Sequence, residues 1–286
     1  MLRSLALLGC LVLVAGGGSG HALATTSSFT FVELQSNGPG SDDSEVLWVV
    51  NQDGTDLRRL TPPFPCIDCA ESPRFSPDGR TIAFSGFDFQ QQSDIESIGV
   101  DGSDLRPAAC YRCSDVPAWS PNGKRIAAGA IGGKVVISDY PSGRHGRIVP
   151  NIKSASGLDW SRDGSRLAYT DDNGRLHVIS IDGRDGEQLA QDASSPRFSP
   201  DGRTILFARA QDRGIYLISR GGGRARRIAV GGSAAWASDG RRIAIMGGGG
   251  PTITIVTLES GETQRLRLPK GVCTGSKYCV DLDWRS

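Results

Sequence analysis

The sequence predicts an all-β protein, a six-bladed β-propeller of four-stranded antiparallel blades closed by pairing of its C-terminal strand with the N-terminal blade. Three observations carry this expectation. The stretch SPRFSPDGRTI occupies residues 72–82 and, letter for letter, residues 195–205. Six aromatic anchors, Phe75, Trp119, Trp160, Phe198, Trp236 and Trp284, follow one another at intervals of 44, 41, 38, 38 and 48 residues, near the repeat length of about 42 that marks a four-stranded propeller blade. Glycine, 38 of 286 residues, runs near twice its usual share of about 7%, and no long stretch shows the period of an amphipathic helix. Short strands joined by tight turns are what this composition favours.

The first residues stand apart. A short segment carrying Arg3 leads into the apolar run 5–15 and then to Ala22-Leu23-Ala24, the pattern of a secretory signal peptide over 1–24. The mature chain is expected to begin near Thr25, with 25–286 forming the propeller domain. A lipid-attachment box at Leu7-Leu8-Gly9-Cys10 would leave too little apolar run before the cysteine. No later stretch approaches the roughly 18 apolar residues that span a bilayer, so the expected location is secreted or periplasmic, without a transmembrane segment. Loss of Arg3 leaves 31 basic side chains against 31 acidic ones. That balance argues against nucleic acid or a polybasic membrane contact, both of which need a positive excess on one surface.

Each anchor is followed by a turn: Pro77-Asp78-Gly79, Pro121-Asn122-Gly123, Arg162-Asp163-Gly164, Pro200-Asp201-Gly202 and Ser238-Asp239-Gly240. Proline sets φ for the first central position, and glycine accepts the left-handed conformation that closes a short hairpin. An alternating run such as Thr81-Ile82-Ala83-Phe84 comes next, then a second hairpin marked by Asp53-Gly54, Asp101-Gly102 and Asp182-Gly183, with weaker copies at 135–143, 215–222 and 253–261. Four strands per unit result, called a to d from the axis outward. The ends are complementary. Residues 29–34 read as a strand b with no anchor before them, and 281–285 as a strand a with nothing after. Pairing them closes the sixth interval and leaves no sheet edge open.

The anchors with Ser-Pro-Asp-Gly and the strand LWVVNQDGTDLRRLT at 47–61 resemble the repeats of the TolB-like six-bladed propeller family. The likeness covers essentially all of the mature chain, as propeller only, without an α/β domain ahead of the first blade. It implies a cell-envelope component that binds partner proteins, although one propeller serves many functions.

Six cysteines remain after cleavage, as Cys66-x-x-Cys69, Cys110-x-x-Cys113 and Cys273 with Cys279. Each pair precedes an anchor, in the connection from strand d to the next strand a. In an exported protein three local disulfides are the leading expectation. A thiolate metal site would need four cysteines converging tetrahedrally, and a redox motif a helix N-terminus to lower a thiol's pKa.

The d-to-a and b-to-c connections open on one rim. The b-to-c connection spans about eleven residues in the first blade, 35–45, and about seven in the second, 88–94, against roughly three elsewhere. Long loops on a rigid scaffold are where binding residues concentrate. The candidate partner surface is therefore Asp42, Asp43, Asp68, Glu71, Phe87, Asp88, Phe89, Gln91, Tyr111, Arg112 and Tyr278, facing an envelope or extracellular protein or glycan, with the chain a monomer. The alternative is that these loops merely tolerate insertion and need staples.

The residue before each anchor reads Asp283, Arg74, Ala118, Asp159, Arg197, Ala235 in blade order, so acid, base and alanine repeat twice. A channel ring of Arg74, Asp159, Arg197 and Asp283 is expected, with Asp and Arg of adjacent blades paired, either as a structural ion-pair ring or as a ligand site at the channel mouth. Enzyme readings are weaker. Only His145 and His177 survive cleavage, neither placed as the base of a Ser-His-Asp set, and there is no Gly-x-Ser-x-Gly elbow. The turn aspartates recur because the turn needs them, not as calcium ligands. The second functional reading is a lactonase-like, metal-dependent propeller hydrolase acting through Asp159 and Asp283; the first is a noncatalytic binding module with no cofactor.

Overall fold

The computed structural model describes residues 27–35, 44–61, 71–87, 93–111, 113, 116–130, 132–143, 146–247, 251–273 and 277–285. The expected leader, 1–24, lies outside them. Six four-stranded antiparallel sheets form the ring. In order a to d, the first blade is Lys277–Arg285, Ser28–Gln35, Ser44–Asn51 and Arg58–Arg59. The second is Glu71–Phe75, Thr81–Phe87, Ser93–Gly99 and Arg106–Tyr111. Ala118–Trp119, Arg125–Ala130, Lys134–Asp139 and Arg147–Ile148 make the third. Ser156–Trp160, Arg166–Thr170, Leu176–Ser180 and Glu187–Ala190 make the fourth. The fifth comprises Ser194–Phe198, Thr204–Arg209, Gly214–Ser219 and Arg226–Val230. The sixth comprises Ser233–Trp236, Arg242–Met246, Thr252–Thr257 and Thr263–Arg267.

There is one apolar core per blade interface rather than one for the molecule. In the fifth blade, Ile205 and Phe207 pack with Ala168, Leu176 and Val178 of the fourth, while Leu206 and Ala208 pack with Ile243 and Ile245 of the sixth. Successive strand residues point to opposite faces, so a strand covered on both faces is apolar throughout. That is why strand b reads TILFAR, with its four central residues buried.

The turns follow from local chemistry. After the second anchor the Ser120 hydroxyl donates to Asn122 Oδ1 at 2.9 Å, and that oxygen accepts the Lys124 N–H at 3.1 Å. Ser76 with Asp78, Ser161 with Asp163 and Ser199 with Asp201 repeat the arrangement. Where Ala237 replaces the serine, Asp239 instead binds the Arg242 guanidinium at 2.7 Å. Gly79, at φ 67°, donates its N–H to the Ser76 carbonyl. These carboxylates are committed within their turns; Asp163 is held at about 2, chiefly by the Ser161 hydroxyl and the Ser165 N–H.

Ring closure occurs as the termini suggest. Phe29 pairs with Trp284 and Gln35 with Lys277. The closing strand also holds both neighbouring blades. The Leu282 N–H donates to Ser233 Oγ of the sixth blade at 2.8 Å, and the Arg242 guanidinium lies 5.2 Å from the Trp284 ring centre. Toward the second blade, Arg285 donates to the Gly79 carbonyl and stands over the Phe75 ring.

Trp284 is 6% exposed, donates its indole N–H to Ser27 Oγ at 2.8 Å and meets Phe29 at a 5.1 Å ring separation. Trp284→Ala should destabilise the whole propeller by about 3–5 kcal/mol, the usual range for truncating a buried tryptophan. Urea denaturation followed by circular dichroism measures it. A loss under about 1 kcal/mol would contradict closure by this strand.

Candidate functional site

The rim was expected to carry its long loops on the first two blades, and the structure refines this. Strands b and c of the first blade are 8 residues each and those of the second 7 each, against 5 each in the fourth. Ladder pairing in the second blade continues to Phe87 opposite Ser93, so its connection is 88–92, no longer than 171–175 or 247–251. What distinguishes this sector is therefore longer paired strands in both blades, plus a longer connection between them, 36–43, in the first. Ser93 and Asp94, expected in the second blade's connection, pair in strand c instead.

Register places two tyrosines at the bases of these hairpins. Tyr278 pairs with Leu34, next to the start of 36–43, and Tyr111 pairs with Asp94, just after 88–92. Glu71 is exposed where the second blade's inner strand begins. Asp42, Asp43, Asp68, Asp88, Phe89, Gln91 and Arg112 lie outside the described residues, and Phe87, Tyr111 and Tyr278 are placed by backbone alone.

The same rim is clamped. Cys273 and Cys279 form a disulfide. The Cys273 N–H donates to the buried Glu33 carboxylate at 2.8 Å, while Glu33 itself pairs with Cys279 in the ladder, so the bridged segment is tied to the base of the first hairpin. Cys113 is buried and disulfide-bonded. Cys110 lies in the outer strand of the second blade rather than in a connection; Cys66 and Cys69 lie outside the described residues.

At the axis the doubled sequence becomes doubled geometry. Asp283 Oδ2 accepts the Phe75 N–H of the next blade at 2.8 Å, and Asp159 Oδ2 accepts the Phe198 N–H at 2.7 Å. The Arg74 carbonyl accepts the Trp119 indole N–H at 3.0 Å, and the Arg197 carbonyl that of Trp236 at 3.3 Å. Two residues before these axial positions the inner strand bulges through a left-handed residue: Ser72 (φ 52°), Gly157 (φ 59°), Ser195 (φ 49°) and Asp281 (φ 54°).

The expected pairing of adjacent Asp and Arg is corrected. The ion pair observed is Arg197 with Asp283 at 3.7 Å, the fifth blade with the first, passing over Ala235 of the sixth. The reason is that each aspartate turns one oxygen to a backbone N–H of the following blade, drawing it away from the arginine there. The alanine opposite leaves room for the longer reach. Asp281 was missed by sequence reasoning; its Oδ2 accepts the Ser72 N–H at 3.2 Å, and its charge acts on Arg74. Its signal was alignment with Gly157, a glycine two residues before an axial aspartate.

Burial dominates the electrostatics. It pushes the Asp159 carboxyl up to about 6, opposed by Arg197 and the Phe198 N–H. It pulls Arg74 down to about 9, with repulsion from Arg197 adding to the effect. His177 stacks on Tyr169 and meets Asp171 at 3.2 Å in strand c of the fourth blade, two strands outward from the axial strand that carries Asp159; His145 lies outside the described residues. Among the described residues no three His, Cys, Asp or Glu side chains are grouped to hold a metal ion, and there is no helix long and apolar enough to cross a membrane.

No family model matches the chain, and no curated protein matches it. Solved structures do. TolB from Acinetobacter baumannii superposes with a TM-score of 0.70 at 16% identity, covering 90% of this chain and 66% of that one. A protein assigned as TolB from Agrobacterium tumefaciens gives 0.60 at 16% identity, covering 91% and 99%. A chain of a nidogen–laminin complex gives 0.67 at 11% identity, covering 89% and 98%. The chain therefore has the six-bladed fold of the TolB propellers. It spans just under two thirds of the first of these proteins, and a fold shared this widely does not fix an activity.

Ionisation of Asp159 is a cost to folding. The folded state holds this proton more tightly than an unfolded aspartate at 3.8, so the penalty is absent below pH 3.8, grows between 3.8 and 6, and is complete above. Its scale is about 3 kcal/mol by linkage. Asp159→Asn keeps an acceptor for Phe198 and should be at least as stable as the parent at pH 7.5. The difference should shrink toward pH 4 in urea denaturation. A difference independent of pH would refute the assignment.

Proposed function

We propose that this chain is a noncatalytic, exported binding propeller of the cell envelope. It captures a protein or glycan partner through the rim of its first three blades. One observation carries the reading: in a ring whose six blades are otherwise built to one pattern, the longest hairpins belong to two neighbouring blades, and the bridged segment 273–279 sits at the base of one of them. Extended hairpins cost conformational entropy, and a disulfide constrains the chain around them. A rigid scaffold carrying a local asymmetry of this kind is the usual basis of partner recognition.

Export is supported by the disulfide together with the 1–24 leader pattern, since such bridges persist in oxidising compartments. The likeness to the TolB structure from Acinetobacter baumannii is consistent with an envelope role. For the hydrolase reading, Asp159 and Asp283 would have to converge on a cation, whereas each already accepts a backbone N–H and lies among guanidinium groups.

The test is capture by the immobilised mature chain from envelope extracts, with the retained species identified and rebound in purified form. Asp42→Ala, Asp88→Ala and Tyr111→Ala combined should weaken rebinding at least tenfold. A control on the opposite face, Arg80→Ala with Arg203→Ala, should leave it unchanged. Unaltered rebinding by the rim variant would remove this surface from consideration. Chelator-sensitive hydrolysis of a lactone, lost in Asp159→Asn, would replace the binding reading with the catalytic one.

A further inference from the structure

Two buried arginines meet at the propeller axis without adequate partners. Arg74 is 6% exposed and Arg197 8%, and the Nε–H of each is shut off from solvent with no acceptor. The one hydrogen bond of the Arg74 side chain goes to the carbonyl of its own neighbour, Pro73, at 2.8 Å, and among the described residues no carboxylate stands within ion-pair distance of it. Among the described residues Arg197 has only Asp283 as a side-chain partner, at 3.7 Å, too long for a hydrogen bond. The carboxylates that might have neutralised them each give one oxygen to the backbone: Asp159 to Phe198, Asp283 to Phe75, Asp281 to Ser72. Buried polar groups are hydrogen-bonded in native structures as a rule, so two orphaned donors of the same kind in one cluster call for a common acceptor.

The arrangement has approximate two-fold symmetry. Arg74 and Arg197 occupy equivalent positions in the two identical copies of SPRFSPDGRTI, three blades apart. A guanidinium presents its Nε–H and one Nη–H as a parallel fork, which matches two oxygens of an oxyanion. Two forks related by a two-fold axis match two opposite edges of a tetrahedron. We infer that the axis is a binding site for a tetrahedral phosphate group, gripped by Arg74 and Arg197.

The surrounding carboxylates select among such anions. Asp159 and Asp283 each retain an oxygen that no backbone donor takes, and an oxygen of this kind beside a bound anion accepts only from an anion that carries a proton. Hydrogen phosphate has a P–OH group to donate; sulfate, fully ionised at neutral pH, has none and meets the carboxylates as like charges. The site thus takes inorganic phosphate, or a phosphate monoester bound as its monoanion, which keeps one P–OH although its second pKa is about 6, and rejects sulfate. The mutual repulsion of the two arginines, already felt at Arg74, is relieved by the same ligand. This site is independent of the rim surface, so failure of one reading leaves the other standing.

The experiment uses the full mature chain at pH 7 and constant ionic strength. Phosphorus NMR line broadening and calorimetry are recorded with inorganic phosphate and with glycerol phosphate, and calorimetry with sulfate and acetate. Phosphate is expected to bind at least tenfold more tightly than sulfate or acetate. Glycerol phosphate binding as well as free phosphate identifies an ester on a larger molecule as the natural ligand; binding of free phosphate alone identifies the ion. Arg74→Gln and Arg197→Gln should each reduce affinity at least tenfold, and Asp283→Asn should narrow the preference over sulfate. Absence of phosphate binding by the parent protein, or equal affinity for sulfate, overturns the proposal, and neither result depends on any variant folding.

Discussion

The hydrogen-bond ladder between Ser28–Gln35 and Lys277–Arg285 is the constraint from which the rest follows. A blade cannot bury both faces of its strands alone; each apolar face is completed by a neighbour, and six such interfaces exist only in a closed ring. Before this ladder forms, Phe29 and Phe31 have no cover from Leu282 and Trp284, and the first blade presents an unpaired edge to solvent. Closure is also costly, because it joins residues more than two hundred positions apart and its loop entropy must be recovered from contacts. The closing strand recovers it on three sides at once: the ladder to strand b, the serine of the sixth blade, and the glycine carbonyl and Phe75 ring of the second.

Behind the six-fold ring stands a two-fold one. The triplet of axial residues, acid then base then alanine, repeats after three blades with its hydrogen bonds intact: carboxylate to the next blade's anchor N–H, then indole N–H to the arginine backbone. Identity over eleven residues is more than a blade motif requires, since the third, fourth and sixth blades keep the fold with other letters. What the two copies share beyond the motif is the arginine at the axis and the left-handed serine two residues ahead of it. The serine bulge re-aims the inner strand, and the arginine is the group so aimed. Identity at these two places therefore reflects the demands of the axis and not of the sheet.

How much could be read from the letters follows from the range of the interactions. The Asp-Gly turns, the strand count and the order around the ring were legible because serine, aspartate and glycine within five residues determine each turn, and because the repeat length counts the blades. The ring closure was legible because the two ends were each missing what the other supplied. The partner of Arg197 was not. Adjacent blades suggested Asp159, but that carboxylate faces the Phe198 N–H, a backbone donor invisible to side-chain arithmetic. Asp281 was hidden in a bulge, and bulges are set by ladder register. Ser93 and Asp94 were misplaced into a loop because nothing in 88–94 marks where cross-strand pairing resumes.

These two symmetries explain why the molecule has room for two kinds of recognition. The rim breaks symmetry: hairpins lengthened in the first two blades, and a disulfide and the buried Glu33 carboxylate fixing the segment beside one of them. Selection acting on an exposed surface can alter one blade without disturbing its neighbours, because rim residues take little part in the inter-blade cores. The axis has no such freedom. Every side chain there faces those of the other blades, and a change at Arg74 alters the field at Arg197 and Asp159 together. Burying two guanidinium groups among three partly buried carboxylates at the axis is expensive compared with an apolar plug of the same volume. The axial Asp and Arg recur in both halves of the chain, and a phosphate held between the two arginines would offset that cost where the carboxylates, each bonded to a backbone N–H, do not.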